Sequence, residues 1–289
     1  MKLVSYLHHG HEQLALFSGG FLYDTDALHP ELPSSMNMFL NYWEDCHPLA
    51  LTCATAITDG RISTSRGIPA DSVDWLAPVP LPGSVRIALA PKNGLPQLRS
   101  ADHQLVRAPG QVAFMPDHLQ DLRPALSVAA LVCRPGRNIP AEEADQHIAG
   151  MLLMGCFHAP HFQEGETALT LGPCLYTLDE FDALEIPSPL GHVGKNWNVT
   201  LRITVNGTSI GTSNLDQIPN SFAELTERAS YGRDLFPGDI IAAPITMPMD
   251  TRLQTGDVVE FGMEGFEVLT NTIAADEEDF SLLNKVKVH

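Results

Sequence analysis

The segment Gly232-Arg233-Asp234-Leu235-Phe236-Pro237-Gly238-Asp239-Ile240-Ile241-Ala242-Ala243 constrains the fold more than any other stretch of the chain. Pro237 pre-sets a turn, Gly238 supplies a free φ, and Asp239 is suited to bond its own backbone two residues on. Ile240, Ile241 and Ala242 then run as a buried strand. The same grammar recurs in Leu253-Gln254-Thr255-Gly256-Asp257-Val258-Val259-Glu260-Phe261, where Gly-Asp again precedes a β-branched run. Two such turns predict a core of short, turn-punctuated strands.

Before this segment, Val4, Tyr6 and Leu7 lead to Leu14 to Phe17, then Ser18-Gly19-Gly20, then Phe21 to Tyr23, which reads as strand, glycine turn and strand. Phe39 to Trp43 and Leu49 to Leu51 have helical spacing and should cover that hairpin module. His8, His9 and His11 suggest a metal cluster by composition, but neighbouring strand residues face opposite ways and a surface turn fits better. Asp74 to Pro82 is extended and proline-punctuated, which reads as a connection between an N-terminal α+β module, residues 1–75, and a mixed β-rich domain, residues 76–289. Later, Val199 to Val205 alternates with period two, Asn206-Gly207 signals a hairpin, and Ser221 with Glu224 forms a capping box for a short amphipathic helix.

The chain has 289 residues, so it can bury a sizeable core in one or two domains. Its net charge of −18, with only 17 Lys and Arg, argues against nucleic acid. An anionic substrate requires a local basic pocket that overrides this field. No apolar run reaches the roughly 18–20 residues needed to span a bilayer. The start, Met1-Lys2-Leu3-Val4-Ser5, leads into a strand pattern rather than a signal peptide, so the expected location is cytoplasmic. Cys46, Cys53, Cys133, Cys156 and Cys174 are scattered, as suits reduced and mostly buried thiols.

Val205-Asn206-Gly207, Pro237-Gly238-Asp239, Gly256-Asp257 and Gly265 with Asn271 fall in an order that resembles the fumarylacetoacetate hydrolase superfamily. Arg134-Pro135-Gly136-Arg137-Asn138-Ile139-Pro140-Ala141-Glu142-Glu143-Ala144 and Leu171-Gly172-Pro173 extend the resemblance over nearly the whole chain. It implies an α+β fold, a homodimer, and an enzyme acting through an enolate on a small carbonyl compound, such as a dicarbonyl or 2-oxo acid.

The residues that carry the chemistry of the family are altered. The resemblance implies a divalent cation held by Glu-x-Glu on one strand and Asp on the next, as suits a hard ion. In register these positions are Ala125, Ser127 and Cys156, and the window from Pro124 to Cys133 has no Asp or Glu. A water-activating His and Glu on a short lid helix are expected after Val85 to Leu89. The sequence there is Ala90-Pro91-Lys92-Asn93-Gly94-Leu95-Pro96, and His103 is the nearest substitute. A usual lysine before Leu171 and a Thr-Gly-Thr-Pro turn after Pro237-Gly238-Asp239 are missing too.

Three readings follow. In the first, Cys156, His158, His161, Glu164, Glu166 and His103 run metal-independent acid/base chemistry with no cofactor, as rearrangement, cyclisation, isomerisation or carbon–carbon cleavage. In the second, His158 and His161 with Glu164 or Glu166 hold zinc or iron. In the third, a noncatalytic relative binds a small molecule or a partner. The first reading is favoured here.

Overall fold

The computed structural model describes residues 1–162, 165–247 and 250–276. The chain opens with an antiparallel meander, β1 (Lys2–His8), β2 (His11–Ser18) and β3 (Phe21–Asp24). His8, His9 and His11 sit exposed at its first turn, with His9 at φ 48°. Two helices cover the meander, α1 (Met36–Asn41) and α2 (Trp43–Thr58). Ser35 caps α1 by accepting from the Met38 N–H, and α1 buries Met36, Phe39 and Leu40.

A hairpin follows, β4 (Val85–Lys92) and β5 (Leu95–Ala101), turning at Asn93-Gly94. This is where the resemblance implies a lid helix. Pro91 and Pro96 disfavour a helix, and they are tolerated because β5 is a sheet edge and the register shifts between Leu89 and Lys92. Next come β6 (Gly110–Phe114), β7 (Arg123–Val132), β8 (Ile148–His158), β9 (Glu166–Leu171) and β10 (Leu175–Thr177). The C-terminal part adds β11 (Thr200–Val205), β12 (Thr208–Asn214), α3 (Phe222–Ser230), β13 (Ile240–Pro244), β14 (Val258–Met263) and β15 (Leu269–Ala275). The capping box of α3 is formed: Ser221 Oγ accepts from the Glu224 N–H, and the Glu224 carboxylate accepts from the Ser221 N–H.

The architecture is α+β, with one large mixed sheet and one five-stranded sheet. The large sheet runs β3-β2-β1-β10-β8-β7-β13-β4-β5, with β9 also on β8; the smaller runs β12-β11-β14-β15-β6. Because β1 pairs with β10, with Lys2 opposite Tyr176, the N-terminal strands continue the sheet of the later residues. The extended stretch after Trp75 is tied down as well: the Leu76 N–H donates to Ser5 O at 3.0 Å, and Ser5 Oγ donates to Pro78 O at 3.0 Å. Among the described residues no helix is long and apolar enough to cross a membrane.

The two Gly-Asp turns are built alike. Asp239 Oδ2 accepts from the Phe236 N–H at 2.9 Å, and Asp257 Oδ2 accepts from the Gln254 N–H at 2.7 Å. Each carboxylate thus closes a loop three residues back, where for Asp239 the sequence alone suggests a bond two residues forward. Gly238 at φ 92° and Gly256 at φ 93° take a backbone conformation that costs other residues energy. Each turn is then tied to a distant element: Ser84 Oγ donates to Asp239 Oδ1 at 2.8 Å, and Asn206 Nδ2 donates to Asp257 Oδ1 at 2.8 Å.

Between the sheets lies an apolar layer containing Leu126, Val128, Leu153, Phe157, Leu201, Val259 and Phe261. Across it the buried Thr170 Oγ1 donates to Asn271 Oδ1 at 2.8 Å, and Asn271 Nδ2 donates to Gly110 O at 3.2 Å. A side chain at Gly155 meets this contact, since an added Cβ falls 2.6 Å from Thr170 Oγ1 and closer still to the Phe261 ring. Replacing Gly155 by Ala is therefore expected to destabilise the protein by about 1–3 kcal/mol through overpacking. A urea midpoint that falls without a change in slope checks this.

Candidate functional site

Strands β7 and β8 are covered on both faces, so they read as nearly continuous apolar runs. Their antiparallel register sets Ala125 directly opposite Cys156 and Ser127 opposite Met154. The three positions that the resemblance assigns to a cation therefore meet in space. They meet as a methyl, a hydroxyl and a thiol, with Ser127 Oγ 3.6 Å from Cys156 Sγ.

Ser127 and Cys156 are both buried. Burial pushes the Cys156 thiol up to about 12; the Ser127 hydrogen bond opposes this, Glu166 adds to it and Arg99 opposes it. A thiol so placed stays protonated at neutral pH and is a poor nucleophile and a poor ligand. A hard dication needs carboxylate oxygens, so these side chains do not fit the family's ion. Among the described residues no three His, Cys, Asp or Glu side chains converge into a group that could hold a metal.

A charge pair does stand within electrostatic reach of the thiol. Glu166 opens β9 opposite His158, its side chain is 4% exposed, and its carboxylate is ion-paired with Arg99 from β5. Arg99 lies opposite Ile87 and is 32% exposed, so its guanidinium meets both the buried carboxylate and solvent. Desolvated on one side, such a pair interacts more strongly than a surface pair. It puts a fixed positive charge, with a carboxylate next to it, within electrostatic reach of Cys156.

The other sequence candidates spread out. His158 Nδ1 lies 3.3 Å from Gly165 O, at the entry to β9. His161 is 72% exposed, and its Nδ1 lies 3.0 Å from Asp121 Oδ2. That carboxylate also accepts from Arg123 Nε at 3.0 Å and is paired with Arg252 at 2.9 Å. Burial raises the affinity of Asp121 for a proton, but Arg123, His161 and Arg252 outweigh it and hold the carboxyl below its usual range. His161 is thus part of a surface clamp on the loop after β8. His103 is exposed in a single 3-10 turn capped by Asp102. Glu164 lies outside the described residues. The structure therefore sets Glu166 opposite His158 in register and within electrostatic reach of Cys156, and leaves His161 and His103 at the surface.

Arg99 is absent from the candidates read from sequence. Its partner is 67 residues away, and an arginine on an edge strand gives no local sign of that pairing. The one usable signal is the demand that a buried Glu166 have a cation.

The family model for the fumarylacetoacetate (FAA) hydrolase C-terminal domain matches residues 86–274. A Bos taurus protein named oxaloacetate tautomerase FAHD2A, mitochondrial, is 24% identical, over 94% of this chain and 91% of its own length. Maleylpyruvate hydrolase from Sphingobium sp. SYK-6, in complex with manganese (II) ion and pyruvate, superposes with a TM-score of 0.76 at 16% identity, over 96% of this chain and 100% of its own. Fumarylacetoacetate hydrolase from psychrophilic Exiguobacterium antarcticum gives a TM-score of 0.74 at 19% identity, over 96% and 100%.

The buried thiol generates a pH prediction. The folded protein keeps Cys156 protonated up to about 12, whereas the unfolded chain loses that proton near about 8.5. Its stabilising contribution is complete below the lower value and is lost as pH rises toward the upper one. The urea midpoint should fall from pH 9 upward, and less steeply in Cys156→Ala, with Cys133 retaining a share of the slope because burial also raises it to about 12.

Proposed function

Because the chain belongs to the fumarylacetoacetate hydrolase family, we propose that it moves a proton between carbon and oxygen in a small dicarbonyl or 2-oxo acid by acid/base chemistry that needs no divalent cation. Hydrolases, isomerases and tautomerases all occur among its relatives. Curated relatives that align over most of both chains are named for a tautomerisation, which requires neither a leaving group nor an activated water.

The observation that carries the reading is the Arg99–Glu166 pair, a partly exposed guanidinium on a buried carboxylate within electrostatic reach of Cys156. In the proposed step the Glu166 carboxylate takes a proton from the carbon next to the substrate carbonyl. The C–H electrons form a carbon–carbon double bond and the carbonyl electrons move to oxygen. Arg99 holds that oxyanion by charge and hydrogen bonds, the part that an ion plays in electrostatic catalysis. Glu166 then returns its proton to the oxygen, giving the enol with no net gain or loss of atoms. Cys156, kept neutral by its burial, takes no proton in this step.

One observation favours a noncatalytic binding protein instead: Ser127, Cys156 and the Glu166 carboxylate are all sealed from solvent. The two readings separate in one assay of oxaloacetate keto–enol exchange, followed by ultraviolet absorbance with excess EDTA. Wild type should keep its rate under the chelator, and Glu166→Gln should lose about 100-fold or more. Arg99→Lys should lose a comparable factor, since a point charge replaces a fork. Loss of all activity with EDTA and its return with magnesium or manganese would sink the cation-free step. No exchange above the buffer rate with oxaloacetate or other 2-oxo acids, in a protein that still binds them, would favour the noncatalytic reading.

A further inference from the structure

The geometry points to a second ligand site, a cleft of about 240 Å³ between the β4–β5 hairpin and the C-terminal end of α3, suited to a small anion with two or more oxyanion groups. Its walls include Arg86, Leu98, Ser100, Arg228, Tyr231 and Arg233, and Arg99 borders it while its guanidinium pairs with Glu166. Arg86 stands opposite Ser100 and Ile87 opposite Arg99, so Arg86 and Ser100 share the strand face that Arg99 does not.

Three guanidinium groups thus converge from β4, from the last turn of α3 and from the turn after it. Two are held in place: Arg86 donates to Ala229 O, and Arg228 Nε donates to Pro96 O at 3.0 Å while its guanidinium lies 5.9 Å from the centre of the Tyr231 ring. Satisfying the carbonyls at the end of α3 accounts for Arg86 alone. Among the described residues none of Arg86, Arg228 and Arg233 is ion-paired with a carboxylate.

Asp239 acts on Arg86 from nearby, but its two oxygens already accept from Ser84 Oγ and from the Phe236 N–H. Asp234, next to Arg233, lies 3.5 Å from Arg137. Burial weakens the hold of Arg86 on its proton; Asp239 opposes this and Arg233 adds to it, as expected of like charges brought close. In a chain of net charge −18 this concentration is a local reversal of sign, and a bound anion relieves it. The planar fork of each arginine suits phosphate or carboxylate. The small cleft and the overall charge are wrong for a nucleic acid strand.

The full chain, titrated with orthophosphate and separately with citrate against chloride of matched ionic strength, tests this by thermal unfolding and calorimetry. A saturable rise in Tm with at least one probe is expected. It should weaken by about tenfold or more in Arg228→Gln and in Arg233→Gln. Both side chains are exposed, so folding should survive, and Arg61→Gln, a surface arginine paired with Asp59, should bind as wild type does. Tighter phosphate assigns the site to phosphate-bearing compounds, and tighter citrate assigns it to polycarboxylates. No saturable shift with either probe, an equal shift with chloride, or full binding in both cleft variants overturns the proposal. Binding is the readout, so the result stands apart from whether Glu166 turns a substrate over.

Discussion

The antiparallel pairing of β7 with β8 is the constraint on which the rest depends. It forms the centre of the large sheet, with β13 hydrogen-bonded on one side and β9 and β10 on the other. A one-residue slip of either strand would turn its Ser127 or Cys156 toward the opposite face and bring its Leu126 or Phe157 out of the layer between the sheets. Packing therefore fixes the register, and the register juxtaposes Ala125, Ser127 and Cys156. The positions that the resemblance assigns to a cation are thus juxtaposed by packing, whatever the chemistry of the side chains there.

Positions without anionic side chains leave the chain free to fill the space with apolar and weakly polar groups. Cys156 and Ser127 do so, each small enough for a strand covered on both faces. The nearby Glu166 is a different case, because a carboxylate removed from water is costly unless compensated. Arg99 supplies the compensation from an edge strand, where its side chain keeps partial exposure. Its pairing stabilises the burial of Glu166 and also places a permanent cation beside a carboxylate, a combination suited to holding an enolate.

Charge distribution shows how little the total says about a site. The excess of acidic residues argues against polyanions, yet Arg86, Arg228 and Arg233 gather at one end of α3. Elsewhere cations are absorbed into clamps, as where Arg123 and Arg252 both bind Asp121. The difference lies in whether the tertiary structure brings an acid to each base.

Much of the fold was legible because its signals are local. Pro237-Gly238-Asp239, Gly256-Asp257, Asn206-Gly207 and the Ser221–Glu224 box act over three or four residues, and strand alternation acts over two, so each can be read without knowing the rest. The absence of carboxylates from Pro124 to Cys133 was equally plain. Only the tertiary structure decided that the N-terminal strands continue the main sheet, that His161 belongs to a surface clamp with Asp121, and that Glu166 finds Arg99. Those outcomes rest on pairings between residues tens to hundreds of positions apart, set by packing and by the cost of burying charge. A linear pattern carries no record of which distant partner will meet that cost.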